Sequence, residues 1–384
     1  MSNSNVRYPF LDLRKADAHL HGRLAEAAAR VIASGRYIGG PEVERLEERM
    51  CVLTGASSAV GTGNGLDALR LALRACVIEG QLKEGDEVVV PANTYIASVL
   101  AVTDAGLVPK LVDPDESTMC LSGEGVRKAL SPKVKAIMPV HLYGRVAWDA
   151  TMADLAREHG LLVIEDAAQS IGAATPLGGM FHSGTAGAIG HIGAISFYPT
   201  KNVGAIGDAG MILTNIPQVA VTARALANYG SDRRYHNIYR GFNSRLDPIQ
   251  AAMIGVRLEE LEEICREREA IARIYSRSIS NPHVKLPALT TSPRESVWHQ
   301  YVIRTPHRDA LREYLIGRGV QTDIHYAMPP HLQPCYIGIR HTPLPVTERL
   351  ASEVLSLPVT PGSTSRDDAR QISEIINEFN PKDE

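Results

Sequence analysis

The chain has 384 residues, enough for two domains, and its 44% hydrophobic and 22% charged residues are the balance of an ordinary globular protein. A net charge of -3 without any Lys/Arg-rich run excludes the electrostatic footprint of a nucleic-acid binder. The polar start, Met1 to Arg14, lacks the apolar core of a secretory signal, and the most apolar stretch, Val88 to Val102, is too short and too interrupted by Pro91, Asn93 and Thr94 to span a bilayer.

From residue 55 to about 230, short apolar runs alternate with helical patterns. Gly61-Thr-Gly-Asn-Gly65-Leu-Asp67 opens the helical run Ala68 to Cys76. Amides at a helix N-terminus form an anion site, so a lone phosphate suits this turn, and a plain tight turn is the alternative. A dinucleotide fingerprint is excluded because Leu66 stands at its third glycine position, and no Gly-Lys-Ser/Thr follows to make a Walker loop. Val88-Val89-Val90 reads as a strand that ends in Pro91-Ala-Asn-Thr-Tyr95, where Tyr95 either stacks on a flat ring or fills core. A helix from Ala97 to Ala105, a strand at Lys110-Leu111-Val112, the apolar run Val134 to Val140 and a helix from Met152 to His159 follow. Continuous apolar strands separated by helices indicate a parallel sheet buried on both faces, hence an α/β domain.

The strand Leu161 to Glu165 leads to Asp166, with Gln169 three residues on. Ligands of parallel sheets bind outside the carboxyl ends of strands, so Asp166 either holds a ligand, such as a pyridinium nitrogen, or caps the next helix. The apolar strand Ile192 to Phe197 leads to Lys201, and the glycine-rich run Gly204 to Gly210 follows it. A lysine here is either a surface lysine or a desolvated amine fit for Schiff-base chemistry and proton transfer. The hydroxyl of Ser196, five positions earlier, is in reach of a phosphate.

The pattern changes at Asp247-Pro248. Apolar Ile249, Ala252, Met253, Val256, Leu258, Leu261 and Ile264 recur at three- and four-residue steps, predicting one long amphipathic helix to about Ile279. A strand (Trp298 to Arg304), a helix (Arg308 to Arg318), a strand (Val320 to His325) and helices near Val346 to Val354 and Arg366 to Phe379 complete the expected order. The proline-rich stretch Met328 to Pro345 is expected at an interface or the site mouth. The division expected is a large α/β domain over 14–246 and, over 247–384, a connecting helix with a smaller α+β domain, near which residues 1–13 pack. The five cysteines show no C-x-x-C spacing, which fits reduced thiols in a cytoplasmic protein.

The order of these pieces resembles the DegT/DnrJ/StrS-type nucleotide-sugar aminotransferases across nearly the whole chain. The most specific matches are Val163-Ile-Glu-Asp-Ala-Ala-Gln169, Ser196 to Gly210 and Gly241-Phe-Asn-Ser-Arg-Leu-Asp247, with Ser34 to Pro41 marking the N-terminal end. The resemblance implies an aspartate-aminotransferase-like fold type I with a mostly parallel seven-stranded sheet, and pyridoxal 5'-phosphate as cofactor. By it, Lys201 carries the cofactor as a Schiff base, Asp166 pairs with the ring nitrogen, Gln169 meets the ring oxygen and Tyr95 stacks on the ring. Gly65 and Leu66 amides with Ser196 bind the phosphate, and Asn243 reaches a phosphate across the subunit boundary of a homodimer with shared sites.

Four stretches look like the branch acting at carbon 3 of dTDP-3-keto-6-deoxyhexoses: Asn64 to Leu69, Ala92 to Ser98, Phe197 to Lys201, and Ile324 to His331. Tyr198, His325, Tyr326, His331 and Tyr37 are then candidates for the sugar pocket. Two departures stand out, Gly190-His191 where an acidic residue is expected and Ala327-Met328 where a proline is common. The reaction implied moves an amino group from glutamate, releasing 2-oxoglutarate, to a nucleotide-linked keto-sugar, with no membrane partner. The alternatives are amination at carbon 4, a non-catalytic nucleotide-sugar-binding accessory protein, and a dehydratase of the kind that carries histidine where this chain has Lys201.

Overall fold

In the computed structural model, which describes residues 6–290, 292–339 and 341–382, seven short strands form one sheet. They are β1 (Ser58–Thr62), β2 (Glu87–Pro91), β3 (Val108–Val112), β4 (Val134–Ile137), β5 (Leu162–Asp166), β6 (Ile192–Ser196) and β7 (Gly210–Thr214). Their spatial order is β1-β7-β6-β5-β4-β2-β3, and β7 alone runs antiparallel to its neighbours. The alternation of strand side chains feeds two apolar layers. Val88, Val90, Ile164 and Ile212 pack under the helices Gly65–Ile78, Ile96–Asp104 and Pro217–Ala227. Val89, Val163, Met211 and Leu213 face the helices Pro41–Thr54, Gly123–Ala129, Ala150–Glu158 and Pro248–Leu258 on the other side. Both faces are covered, which is why these strands read as unbroken apolar runs.

An exposed hairpin, β8 (Ser231–Arg233) and β9 (His236–Asn237), precedes the second unit. There β10 (Tyr301–Arg304) and β11 (Val354–Leu357) pair antiparallel and share a core with the helices Leu261–Ser278, Arg308–Gly317 and Arg366–Glu378. Tyr8 lies in that same core; the amides of Arg7 and Tyr8 donate to the Gly319 carbonyl at 3.0 and 2.9 Å. Among the described residues no helix is long and apolar enough to cross a membrane.

Three sequence expectations are corrected. The long helix is two, Pro248–Leu258 and Leu261–Ser278. The amides of Glu259 and Glu260 bond three residues back, to Val256 and Arg257, which tightens the turn at the break, and Arg23 of another helix pairs with both carboxylates there. No strand forms over Val320 to His325, where only the isolated bridges Tyr8–Val320 and Asp323–Ser356 occur, to different partners. The strand expected from Trp298 begins at Tyr301, because Trp298 has a φ of 48° and the carbonyls of Trp298 and His299 accept from Arg268 instead of a neighbouring strand.

Phe197 joins β6 to the turn bearing Lys201 and is fully buried between the sheet and the helix layer. Phe197→Ala should lower stability by about 3–5 kcal/mol in denaturant unfolding. A loss under about 1 kcal/mol would contradict this packing role.

Candidate active site

The strand β5 ends in two adjacent carboxylates. Glu165 is fully buried; its Oε2 accepts from Nε2 of His141 at 2.8 Å and from the Gly187 amide at 2.7 Å, and its Oε1 accepts from the Gly190 amide at 2.7 Å. Nδ1 of His141 accepts from the Ala147 amide at 3.0 Å, so the ring proton sits on Nε2, toward Glu165. Asp166 opens on the other side into a cavity of about 580 Å³. There its carboxylate accepts from the Ser98 hydroxyl at 2.6 Å and the Ala168 amide at 3.2 Å.

Lys201 enters the same cavity from the turn after β6, closed by its amide donating to the Tyr198 carbonyl at 2.8 Å. Its amine makes no hydrogen bond among the described residues. Burial pushes its pKa down to about 8, against the pull of the Asp166 charge. Gln169 is held at both ends of its amide: Oε1 accepts from the Tyr143 amide at 2.6 Å, and Nε2 donates to the Tyr326 hydroxyl at 3.0 Å. Tyr143 turns its amide that way through a left-handed φ of 60°, rare for a residue with a side chain. One N–H of Gln169 is left for the cavity. The half-exposed ring of Tyr95 lies 5.2 Å from that of Tyr326, tilted by 40°.

Opposite these groups, the helix Gly65–Ile78 starts at the cavity wall, capped by Asn64, whose Oδ1 accepts from the Asp67 amide at 2.8 Å. The amides of Gly65 and Leu66 have no acceptor among the described residues. A Cβ on Gly65 would come within 2.7 Å of the Ser196 Cβ, so glycine lets the helix start close against β6 and Ser196.

The cavity thus gathers Gly65, Leu66, Tyr95, Asp166, Gln169, Ser196, Tyr198, Lys201, His325 and Tyr326 from the residues singled out in the sequence. Three others do not line it in their own chain. Tyr37 is exposed, with its hydroxyl donating to the Ile32 carbonyl at 3.2 Å, and Asn243 is exposed beyond the cavity rim. His331 is buried outside the cavity of its own chain, with Nε2 3.3 Å from Glu348 and its ring 4.9 Å from that of His341. Of the two departures noted, His191 lies away from the cavity and accepts from the Val163 amide at 3.0 Å.

Sequence reading missed Ser98, His141, Glu165 and His299. Ser98 ends the stretch Ala92 to Ser98, and Glu165 is a lone charge inside an apolar strand; His141 and His299 carry no local signal. Among the described residues no group of His, Cys, Asp or Glu side chains could hold a metal ion.

The sequence model of the DegT/DnrJ/EryC1/StrS aminotransferase family matches residues 19–377. A dTDP-3-amino-3,4,6-trideoxy-alpha-D-glucose transaminase of Streptomyces venezuelae is 41% identical, over 97% of this chain and 96% of its own. A dTDP-3-amino-3,6-dideoxy-alpha-D-galactopyranose transaminase of Aneurinibacillus thermoaerophilus is 39% identical, over 97% and 99%. The crystal structure of S. venezuelae DesV in complex with a ketimine intermediate superimposes with a TM-score of 0.89 at 41% identity, covering 97% of this chain and 98% of that one.

In the ligand-free chain, the rate of reductive methylation at Lys201, read by mass spectrometry, should follow a pKa of about 8. Asp166→Asn should lower that value further, because the carboxylate favours the ammonium. Titration in the ordinary lysine range, about 10.4, would contradict the desolvated placement.

Proposed function

This chain belongs to the DegT/DnrJ/EryC1/StrS aminotransferase family, and from that premise we propose that it moves an amino group from glutamate to carbon 3 of a dTDP-3-keto-6-deoxyhexose, with pyridoxal 5'-phosphate as carrier. The observation that carries the reading is the convergence of Lys201 and Asp166 on one cavity that also offers two free amides and a hydroxyl for an anion. The two relatives, both 3-amino-sugar transaminases by name, support the position on the sugar.

The donor set fits the cofactor. The Gly65 and Leu66 amides with the Ser196 hydroxyl would hold its phosphate, Asp166 its ring nitrogen, Gln169 its ring hydroxyl, and Tyr95 one ring face. When bound, pyridoxal phosphate supplies an aldehyde that takes up an amine and a ring that withdraws electrons from the neighbouring carbon. Asp166, anchored by Ser98 and the Ala168 amide, keeps a proton on the ring nitrogen and cannot swing away from it. Lys201, whose lowered pKa of about 8 makes the neutral amine far more accessible than on an ordinary lysine, takes a proton from the carbon that bears nitrogen and returns one there in the opposite half-reaction. Tyr198, His325 and Tyr326, which line the Lys201 cavity, would face the sugar at its reacting carbon.

The proposal includes a homodimer in which Asn243 completes the phosphate site of a second copy; its exposure and its absence from its own cavity support this. A cytoplasmic location belongs to the same reading, supported by five free cysteines.

Amino transfer from glutamate is to be assayed against 3-keto and 4-keto dTDP- and UDP-sugars. The 3-keto dTDP substrates should react; conversion of 4-keto substrates alone would move the position, and binding without amination of any would favour an accessory role. Lys201→Ala should lose at least about 10²–10⁴ in rate. Near wild-type turnover in that variant would sink the assignment.

A further inference from the structure

One imidazole in the cavity wall has no part in the roles above. His299 is only 4% exposed, and its Nδ1 lies 3.1 Å from Oδ1 of Asn202. The Asn202 amide nitrogen donates to the Val297 carbonyl at 3.2 Å, so its oxygen is the end turned to the ring. Nδ1 is therefore the protonated nitrogen, and Nε2 carries a lone pair. Nε2 finds no partner among the described residues, yet it is not among the side-chain atoms sealed from solvent without one. The backbone is fixed as firmly: Nη1 of Arg268 donates to the Trp298 and His299 carbonyls at 3.1 Å each.

Burial, with Lys201, Arg268 and His325 around it, holds this imidazole neutral. Arg268 directs its η nitrogens to carbonyls and to the Thr360 hydroxyl at 3.2 Å, and Nδ1 of His325 lies 2.8 Å from the Ser356 hydroxyl, with Asp323 beyond. A neutral acceptor held on every side but one calls for a hydrogen-bond donor inside the cavity.

The surroundings narrow the kind of donor. His299, Thr200, Gln300 and His325 line both the Lys201 cavity and a second cavity of about 370 Å³. The polar side chains of the second cavity include Gln321 and Asp323, and among the described residues no lysine or arginine lines it. Asp323 repels a diphosphate or a carboxylate there, whereas a hydroxylated, uncharged ring matches amide, carboxylate and imidazole groups.

We propose that the second cavity is the subsite for the hexose hydroxyls, and that Nε2 of His299 accepts a hydrogen bond from a hydroxyl near the reacting carbon. His299 is then a specificity residue for the sugar and has no part in the amino donor's binding. The inference rests on the nucleotide-sugar reading above, and its test separates the two.

His299→Asn keeps a donor toward Asn202 but removes the acceptor, and His299→Gln restores an acceptor near the place of Nε2. Single-turnover rates of the holoenzyme should show His299→Asn losing at least about tenfold more kcat/KM with the keto-sugar than with glutamate, and His299→Gln recovering part of it. Calorimetry on the cofactor-free chain should show dTDP-glucose bound about tenfold more weakly by His299→Asn, with dTDP alone bound as by the wild type. Equal losses in both half-reactions, or unchanged dTDP-glucose affinity, would overturn the subsite. If neither keto-sugar nor dTDP-glucose engages even the wild type, the nucleotide-sugar reading fails first, and the subsite with it.

Discussion

Glu165 and Asp166 place two carboxylates side by side at the end of a buried parallel strand, and the alternation of strand side chains sends them to opposite faces of the sheet. The inward one must be satisfied completely, since an unpaired buried charge costs several kcal/mol. Glu165 meets this with one imidazole and two glycine amides, which ties the His141 loop and the Gly187–Gly190 turn to β5. The outward one is bound on only part of its surface, by Ser98 and Ala168, and keeps acceptor capacity toward the cavity. The scaffold demand on Glu165 thus fixes where the functional demand on Asp166 can be met.

Lys201 stands across from that carboxylate under two opposed influences. Removal of water disfavours the ammonium, and the Asp166 charge favours it. Desolvation wins, and the shift from 10.5 to about 8 corresponds to roughly 3 kcal/mol in favour of the neutral amine. At neutral pH the neutral amine is then roughly a tenth of the population, some hundredfold more than an ordinary lysine offers as nucleophile or base. The buried Phe197 and the tight turn from Tyr198 keep the amine in this setting, so packing of the second layer of helices bears directly on the chemistry.

Much of the site was legible in the sequence because strand ends and glycine turns are local features. Asp166 follows an apolar run, Lys201 follows another, and Gly65-Leu66 opens a helix; a parallel sheet brings such positions together at one edge. What was not legible depends on distant partners. The break at Glu259-Glu260 comes with ion pairs to Arg23, the missing strand before His325 with divided pairing to Tyr8 and Ser356, and the curl at Trp298-His299 with bonds from Arg268. Periodicity cannot carry that information. His299 escaped notice for the same reason, since its meaning comes from Asn202 and from the cavity it faces. Tyr37, Asn243 and His331 are candidates by resemblance alone, and none of them lines the cavity of its own chain.

Borohydride reduction of the holoenzyme, followed by peptide mass mapping, tests most directly the claim that Lys201 is the amine around which the site is built. A pyridoxyl phosphate mass on the peptide containing Lys201, at close to one per chain, is the expected result. An adduct on another lysine, or none on a chain that still binds the cofactor, would contradict it.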